Sequence, residues 1–134
     1  LLTDPNYSKK LRELWDHGPA AGADDLRLLA VGRHFRLTDA AKLVVGRDQG
    51  ENECLLGLIN FGDTKLFVFG IPGPVGVLRG ASDDATRRLA AEIVARYSDA
   101  PAGQEVTVVL TTDGVDEQLA VIPADPEAVA ALII

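Results

Sequence analysis

Seven side chains stand out as groups that could do chemistry: Arg33, His34, Arg36, Lys42, Arg47, Asn52 and Arg79. Five are cations, one is an imidazole and one an amide, a set suited to holding anions rather than to breaking bonds. No nucleophile elbow, zinc-helix motif, Walker loop or dinucleotide fingerprint accompanies them. The two histidines, His17 and His34, lie far apart, with no cysteine or carboxylate at metal-ligand spacing. His17, beside Gly18-Pro19, reads as a helix C-terminal residue. His34, between Arg33 and Arg36, reads either as an RNA contact or as an ordinary strand residue. The single cysteine, Cys54, excludes an internal disulfide and a multi-thiolate zinc site, and is expected in the core. Adjacent acids at Asp24-Asp25, Asp83-Asp84 and Asp116-Glu117 read as loop and cap residues, since adjacency alone makes no acid/base dyad.

The background charge is acidic. The chain of 134 residues carries a net charge of −7, with a pI near 4.7, which excludes a generic polyanion binder. The total hides a partition. Residues 26–80 hold seven bases and five acids, a local +2, and the remainder is at −9. A basic face on an acidic body is one reading; a carboxylate beside each arginine is the other. The length suits one domain, and 47% hydrophobic residues exclude a disordered chain. No apolar run approaches the roughly 18 residues of a membrane span, and no secretory signal opens the chain. A chain that starts on Leu1 and holds no Met reads as a piece of a longer, cytoplasmic protein.

These residues need elements to position them. Tyr7–Trp15 has apolar residues at helical spacing, and Ala20–Asp25 reads as a linker, so residues 1–25 form a linker with a short helix and 26–134 the domain. Arg27–Val31 is expected as a strand. His34–Thr38 and Lys42–Gly46 alternate with period two and read as a hairpin. Pairing Leu37 with Leu43 and Phe35 with Val45 puts four apolar side chains on one face, around a loop of Asp39-Ala40-Ala41. His34, Arg36, Thr38, Lys42 and Val44 then share the outer face, and Arg33 falls opposite Arg47. Two guanidinium groups so placed repel unless an anion lies between them. The internal candidates are Asp48, Glu51 and Glu53; the external one is a phosphate. Asp48 caps a helix reaching Ile59, with Glu51 at capping-box spacing. Strands are expected at Lys65–Phe69 and Val75–Arg79, a helix capped by Ser82 with Leu89, Ile93 and Tyr97 inward, strands at Glu105–Leu110 and Gln118–Ile122, and a helical tail over Pro126–Leu132. The fold class is α+β, a mixed or antiparallel sheet with two main helices in a single domain.

The run Val45-Gly46-Arg47-Asp48-Gln49-Gly50-Glu51-Asn52 into an apolar helix resembles the NFACT RNA-binding domain family. The likeness continues through Gly62-Asp63, Ile71-Pro72-Gly73-Pro74, Val75–Arg79 and Ala95–Ser98, and is strongest over residues 26–98. One departure stands out. Where relatives carry an aromatic–aromatic–His run, this chain has Lys65, Leu66 and Phe67. The opening residues 1–12 look like the linker that joins this module to an N-terminal PP-loop ATPase domain in proteins similar to bacterial tRNA thiouridylases.

The resemblance implies an RNA-binding, specifically tRNA-binding, accessory domain. It implies no cofactor in this piece, ATP in the upstream PP-loop domain, and neither a membrane nor a DNA partner. Arg33, Arg36, Lys42, Arg47 and Arg79 would meet phosphates, His34 would stack or hydrogen-bond, and Asn52 would hold the arginine-bearing turn. The rival expectations are a protein-interaction or dimerisation module, and a nucleotide pocket at the Gly46–Asn52 turn.

Overall fold

The computed structural model describes the backbone of residues 5–17 and 23–134, and the side chains of residues 7–16 and 26–134. Eleven elements follow one another: α1 (Pro5–His17), α2 (Ala23–Leu29), β1 (Arg33–Thr38), β2 (Ala41–Val45), α3 (Gln49–Gly57), β3 (Thr64–Val68), β4 (Gly76–Gly80), α4 (Asp84–Arg96), β5 (Val106–Thr112), β6 (Val115–Val121) and α5 (Pro126–Ala130). The six strands form one sheet in the order β1-β2-β4-β3-β5-β6, and every neighbouring pair is antiparallel. The architecture is α+β, helices packed on a wholly antiparallel sheet.

The larger core lies between the sheet and α4. Phe35, Leu43, Val45, Leu66, Leu78, Val108 and Leu110 alternate inward along their strands and meet Ala90, Ile93 and Val94. Asp83, rather than Ser82, caps α4 by accepting from the Thr86 N–H at 2.8 Å. Both residue types favour the position, but Asp83 is the one with extended backbone.

A second, smaller core covers the opposite face, and it corrects the expected exposure of the hairpin. Leu28, Val44, Leu55 and Val77 close this layer, so His34 and Val44 have no exposure and Lys42 only 5%. The cover comes from α3 and from α2, which occupies the segment expected as the Arg27–Val31 strand. Four apolar residues within six positions fit either period, and docking Leu28 and Leu29 against the sheet selects the helix. Cys54 is exposed rather than in the core, because Leu55 takes the inward position of α3.

The β1–β2 register is two residues away from the expected one. Phe35 faces Leu43, Arg33 faces Val45, and an irregularity between Arg36 and Thr38 leaves a turn of Asp39-Ala40. A shift of two preserves the faces, which is why the inward apolar set survives. The β5–β6 hairpin is longer than expected, turning on Asp113-Gly114 alone with φ of 49° and 83°. Asp-Gly is the pair that such tight hairpin turns favour. After α5 the chain pairs along the outer edge of β1, where Arg36 N–H donates to the Leu132 carbonyl and Ile134 N–H to that of His34.

Helix α1 ends at His17 and is tied to this edge by Arg36. The expected linker over Ala20–Asp25 and the opening residues lie partly or wholly outside the described residues. Among the described residues no helix is long and apolar enough to cross a membrane, and no group of three or more His, Cys, Asp or Glu could hold a metal ion.

Candidate nucleic-acid interface

The seven candidate residues separate into two groups. Arg36, Lys42 and Arg79 form a row across β1, β2 and β4. Arg36 donates Nε and Nη2 to both carboxylate oxygens of Glu13, at 2.8 and 2.7 Å. Arg79 pairs with the buried Asp63 at 2.8 Å and donates a further bond to the Leu58 carbonyl. Lys42 lies between them, buried. This row is internally matched and largely covered.

His34 belongs to the same face. Its Nε2 lies 3.1 Å from the Leu28 carbonyl and 2.9 Å from that of Val31, so Nε2–H donates into the α2–β1 turn. Its Nδ1 is buried without a partner. Burial first, then the charges of Lys42 and Lys10, lower its pKa from 6.5 to about 3. The imidazole is therefore neutral and interior, with no exposed ring face for the stacking expected of it, although His34 lines a cleft that it shares with Arg33 and Arg47.

Arg33, Arg47 and Asn52 converge at the other end of the hairpin. With Gly46, Asp48, Gln49, Gly73, Pro74 and Tyr97 they line a cleft of about 220 Å³, in which the Asp48 carboxylate already serves as the α3 cap. A neighbouring cleft of about 440 Å³ shares Arg33 and Arg47 and adds Tyr7 and Lys10. The Arg33 guanidinium lies over the Tyr97 ring at 4.7 Å, an arrangement that favours a flat cation. Among the described residues no carboxylate pairs with Arg33.

Arg47 is half-exposed and held in place by Glu51. Its Nε and Nη2 reach the Glu51 carboxylate at 2.8 and 2.7 Å, and its own N–H donates to it at 2.9 Å. The Gly32 N–H adds a fourth bond at 3.0 Å. Chiefly the Arg47 guanidinium, then these backbone donors against the cost of burial, lower the Glu51 pKa to about 2; the same bond raises that of Arg47. Glu51 is thus the internal anion of the hairpin end. Arg47 lies beyond β2 rather than opposite Arg33, so no repulsive pair arises.

Asn52 holds the turn. Its Oδ1 accepts from the Val75 N–H at 3.2 Å, linking α3 to the segment before β4. The same amide occupies the space that a Cβ on Gly46 would need. Gly46→Ala is expected to destabilise the domain by about 1–3 kcal/mol through overpacking, read as a lower urea midpoint at unchanged slope.

Sequence reasoning did not find Lys10, Tyr7 or Tyr97 at this site. Lys10 donates to the Gly32 carbonyl at 3.2 Å, a contact that no spacing rule reveals. Tyr97 was expected as a buried-stripe residue; its position at the C-terminal cap of α4 brings the ring to the cleft. Phe67, at the place of the family histidine, lies on the opposite half of the sheet with Lys65 5.7 Å from its ring.

A search of the curated proteins found no match. Among solved structures, the C-terminal part of the fibronectin/fibrinogen-binding protein from Streptococcus suis is similar, with a TM-score of 0.68 at 15% identity. The likeness covers 96% of this chain and 67% of that one, and it carries the fold alone. The family model described as NFACT protein RNA binding domain matches residues 32–133, from the Gly32 turn through the strand-like tail beside β1. The chain belongs to the NFACT RNA-binding domain family.

Proposed function

We propose that this domain binds structured RNA, tRNA in particular, at the paired clefts around Arg33 and Arg47. It would serve as the accessory RNA grip of a tRNA-modifying, thiouridylase-like protein whose ATP-dependent chemistry lies in a PP-loop domain outside this chain. The observation that carries the reading is the sharing of both guanidinium groups by two adjoining clefts, with Lys10 on one side and no acid on Arg33. Phosphates need such uncompensated or half-exposed cations, and structured RNA is read largely through phosphate position and shape. Arg36 and Arg79, matched to Glu13 and Asp63, would contribute little to phosphate binding, because the paired carboxylates cancel their charge at a distance.

The test is binding of this chain to a tRNA transcript across a salt series. Affinity is expected to fall linearly with salt on logarithmic axes. Arg33→Ala and Arg47→Ala should each weaken binding about tenfold and reduce that slope by roughly one. Absence of binding at low salt, or a salt-independent complex, defeats the reading.

One observation favours a protein-interaction module instead. The β3–β5–β6 half of the sheet turns Phe67, Phe69 and Ile122 away from α4, with Phe69 66% and Ile122 51% exposed. Phe61 and Val115 lie at 93% and 72% near one end of it. Apolar surface of this kind marks contact sites. Concentration-dependent sedimentation abolished by Phe69→Ser would favour that role.

A further inference from the structure

We infer that the smaller cleft is a seat for one unpaired RNA base, with the Arg33 guanidinium as its stacking plane and the Asn52 amide as a donor to the base edge. The inference rests on the RNA-binding reading and adds to it what the cleft recognises. Three features carry it. First, the Arg33 guanidinium lies 4.7 Å from the Tyr97 ring centre, and Arg33 lines both clefts. Guanidinium planes and aromatic rings are the surfaces on which splayed-out bases stack. An Arg–Tyr pair that stays put in the free domain needs little ordering when a base arrives.

Second, the cleft has the size and lining of a single-base site. At about 220 Å³ it is smaller than the roughly 300–1,000 Å³ of sites for larger ligands. Its walls are the Gly73-Pro74 turn and the Gly46–Asn52 turn, both rigid: Pro74 is buried, and Gly73 packs on Ser98 so closely that no Cβ would fit.

Third, Asn52 uses only its carbonyl oxygen internally, for the Val75 N–H. Its Nδ2 makes no hydrogen bond among the described residues, and Asn52 lines the cleft. An amide NH2 so placed donates to the ring-nitrogen or carbonyl acceptors that every RNA base carries. Arg47, at the rim and fixed by Glu51, meets the phosphate that leads into the site. The ligand class is therefore a single-stranded or extruded nucleotide of RNA, rather than a blunt duplex.

The experiment compares two fluorescently labelled oligomers of equal length and charge by anisotropy: a single-stranded oligouridylate and the same ribose-phosphate chain without bases. Each is titrated with this chain, and with Arg33→Lys, which keeps the charge and removes the plane. The wild type is expected to prefer the base-bearing oligomer about tenfold, and Arg33→Lys to bind both at the level of the abasic one. Tyr97→Phe, which keeps the ring, should retain the preference. Equal wild-type affinity for the two oligomers, or a preference unchanged in Arg33→Lys, overturns the inference while leaving phosphate binding intact. Failure of the wild type to bind either oligomer while it still binds the tRNA transcript overturns the inference alone; failure to bind the transcript as well overturns the RNA-binding reading beneath it.

Discussion

Asp63→Ala is expected to lower the unfolding free energy by about 3–5 kcal/mol, the range for breaking a buried ion pair by removing one partner. Asp63 is 5% exposed and receives the Arg79 guanidinium through Nε at 3.1 Å and Nη2 at 2.8 Å. It also accepts the Asn60 N–H at 2.8 Å, which fixes the turn between α3 and β3. Without the carboxylate, the Arg79 guanidinium would lose its Asp63 ion pair in a covered row beside Lys42, its cross-strand neighbour. Urea unfolding followed by circular dichroism measures the change, as a lower midpoint at unchanged slope. Asp63→Leu combined with Arg79→Met should recover most of the loss, since replacing both partners removes the stranded charge. A loss below about 1 kcal/mol would place the pair among screened surface contacts. Arg79→Met alone should destabilise the domain yet leave the tRNA affinity of the folded protein near that of the wild type, unlike Arg47→Ala.

Mild acid is the second large effect. The folded domain holds His34 with a pKa of about 3, whereas the unfolded chain restores the ordinary 6.5. Between these values the unfolded state binds the extra proton. The stability from neutral His34 is therefore complete above pH 6.5 and is lost progressively as pH falls towards 3. The limiting slope is roughly 1.4 kcal/mol per pH unit. Glu51, lowered from 4.5 to about 2, adds a loss of the same sign at lower pH, so the window from pH 6.5 to 4.5 isolates the histidine. Unfolding free energies measured across that window should drop by about 2–3 kcal/mol in the wild type. In His34→Gln the amide donates to the Leu28 and Val31 carbonyls without titrating, and the curve should flatten. Parallel curves for the two proteins would contradict a buried neutral imidazole.

The contrast between His34 and Arg47 shows how much of the site is legible in the chain. Arg47, Asp48 and Glu51 act within one helix start, and their spacing foretells the Asp48 cap and a Glu51 carboxylate at the turn, where it accepts from the Arg47 N–H instead of the Asp48 N–H of a capping box. His34 sits in an equally clear alternating strand, yet its exposure was misread. Alternation tells which side chains share a face, not whether a second layer covers that face. The cover comes from α2 and α3, and α2 is a seven-residue helix whose short apolar run fits either period. Two turns account for two further differences. The Asp113-Gly114 signal is local, yet the strands were expected to stop at Leu110 and Gln118, whereas the irregularity between Arg36 and Thr38 that shifts the β1–β2 register leaves no mark in the alternation.

By itself the sequence determined the α+β class, the apolar face of the β1–β2 hairpin, the Asp48 helix start and membership of an RNA-binding family, because these rest on contacts within a few residues or on an ordered motif. Only the tertiary structure decided which cations are matched and which are free. Arg36 meets Glu13 across 23 residues, Arg79 meets Asp63 across 16, and Arg33 meets Tyr97 from the far end of α4. Such partners are chosen by sheet order and helix docking. Burial, charge and hydrogen bonding then act on whatever that packing brings within a few ångströms, wherever it lies along the chain.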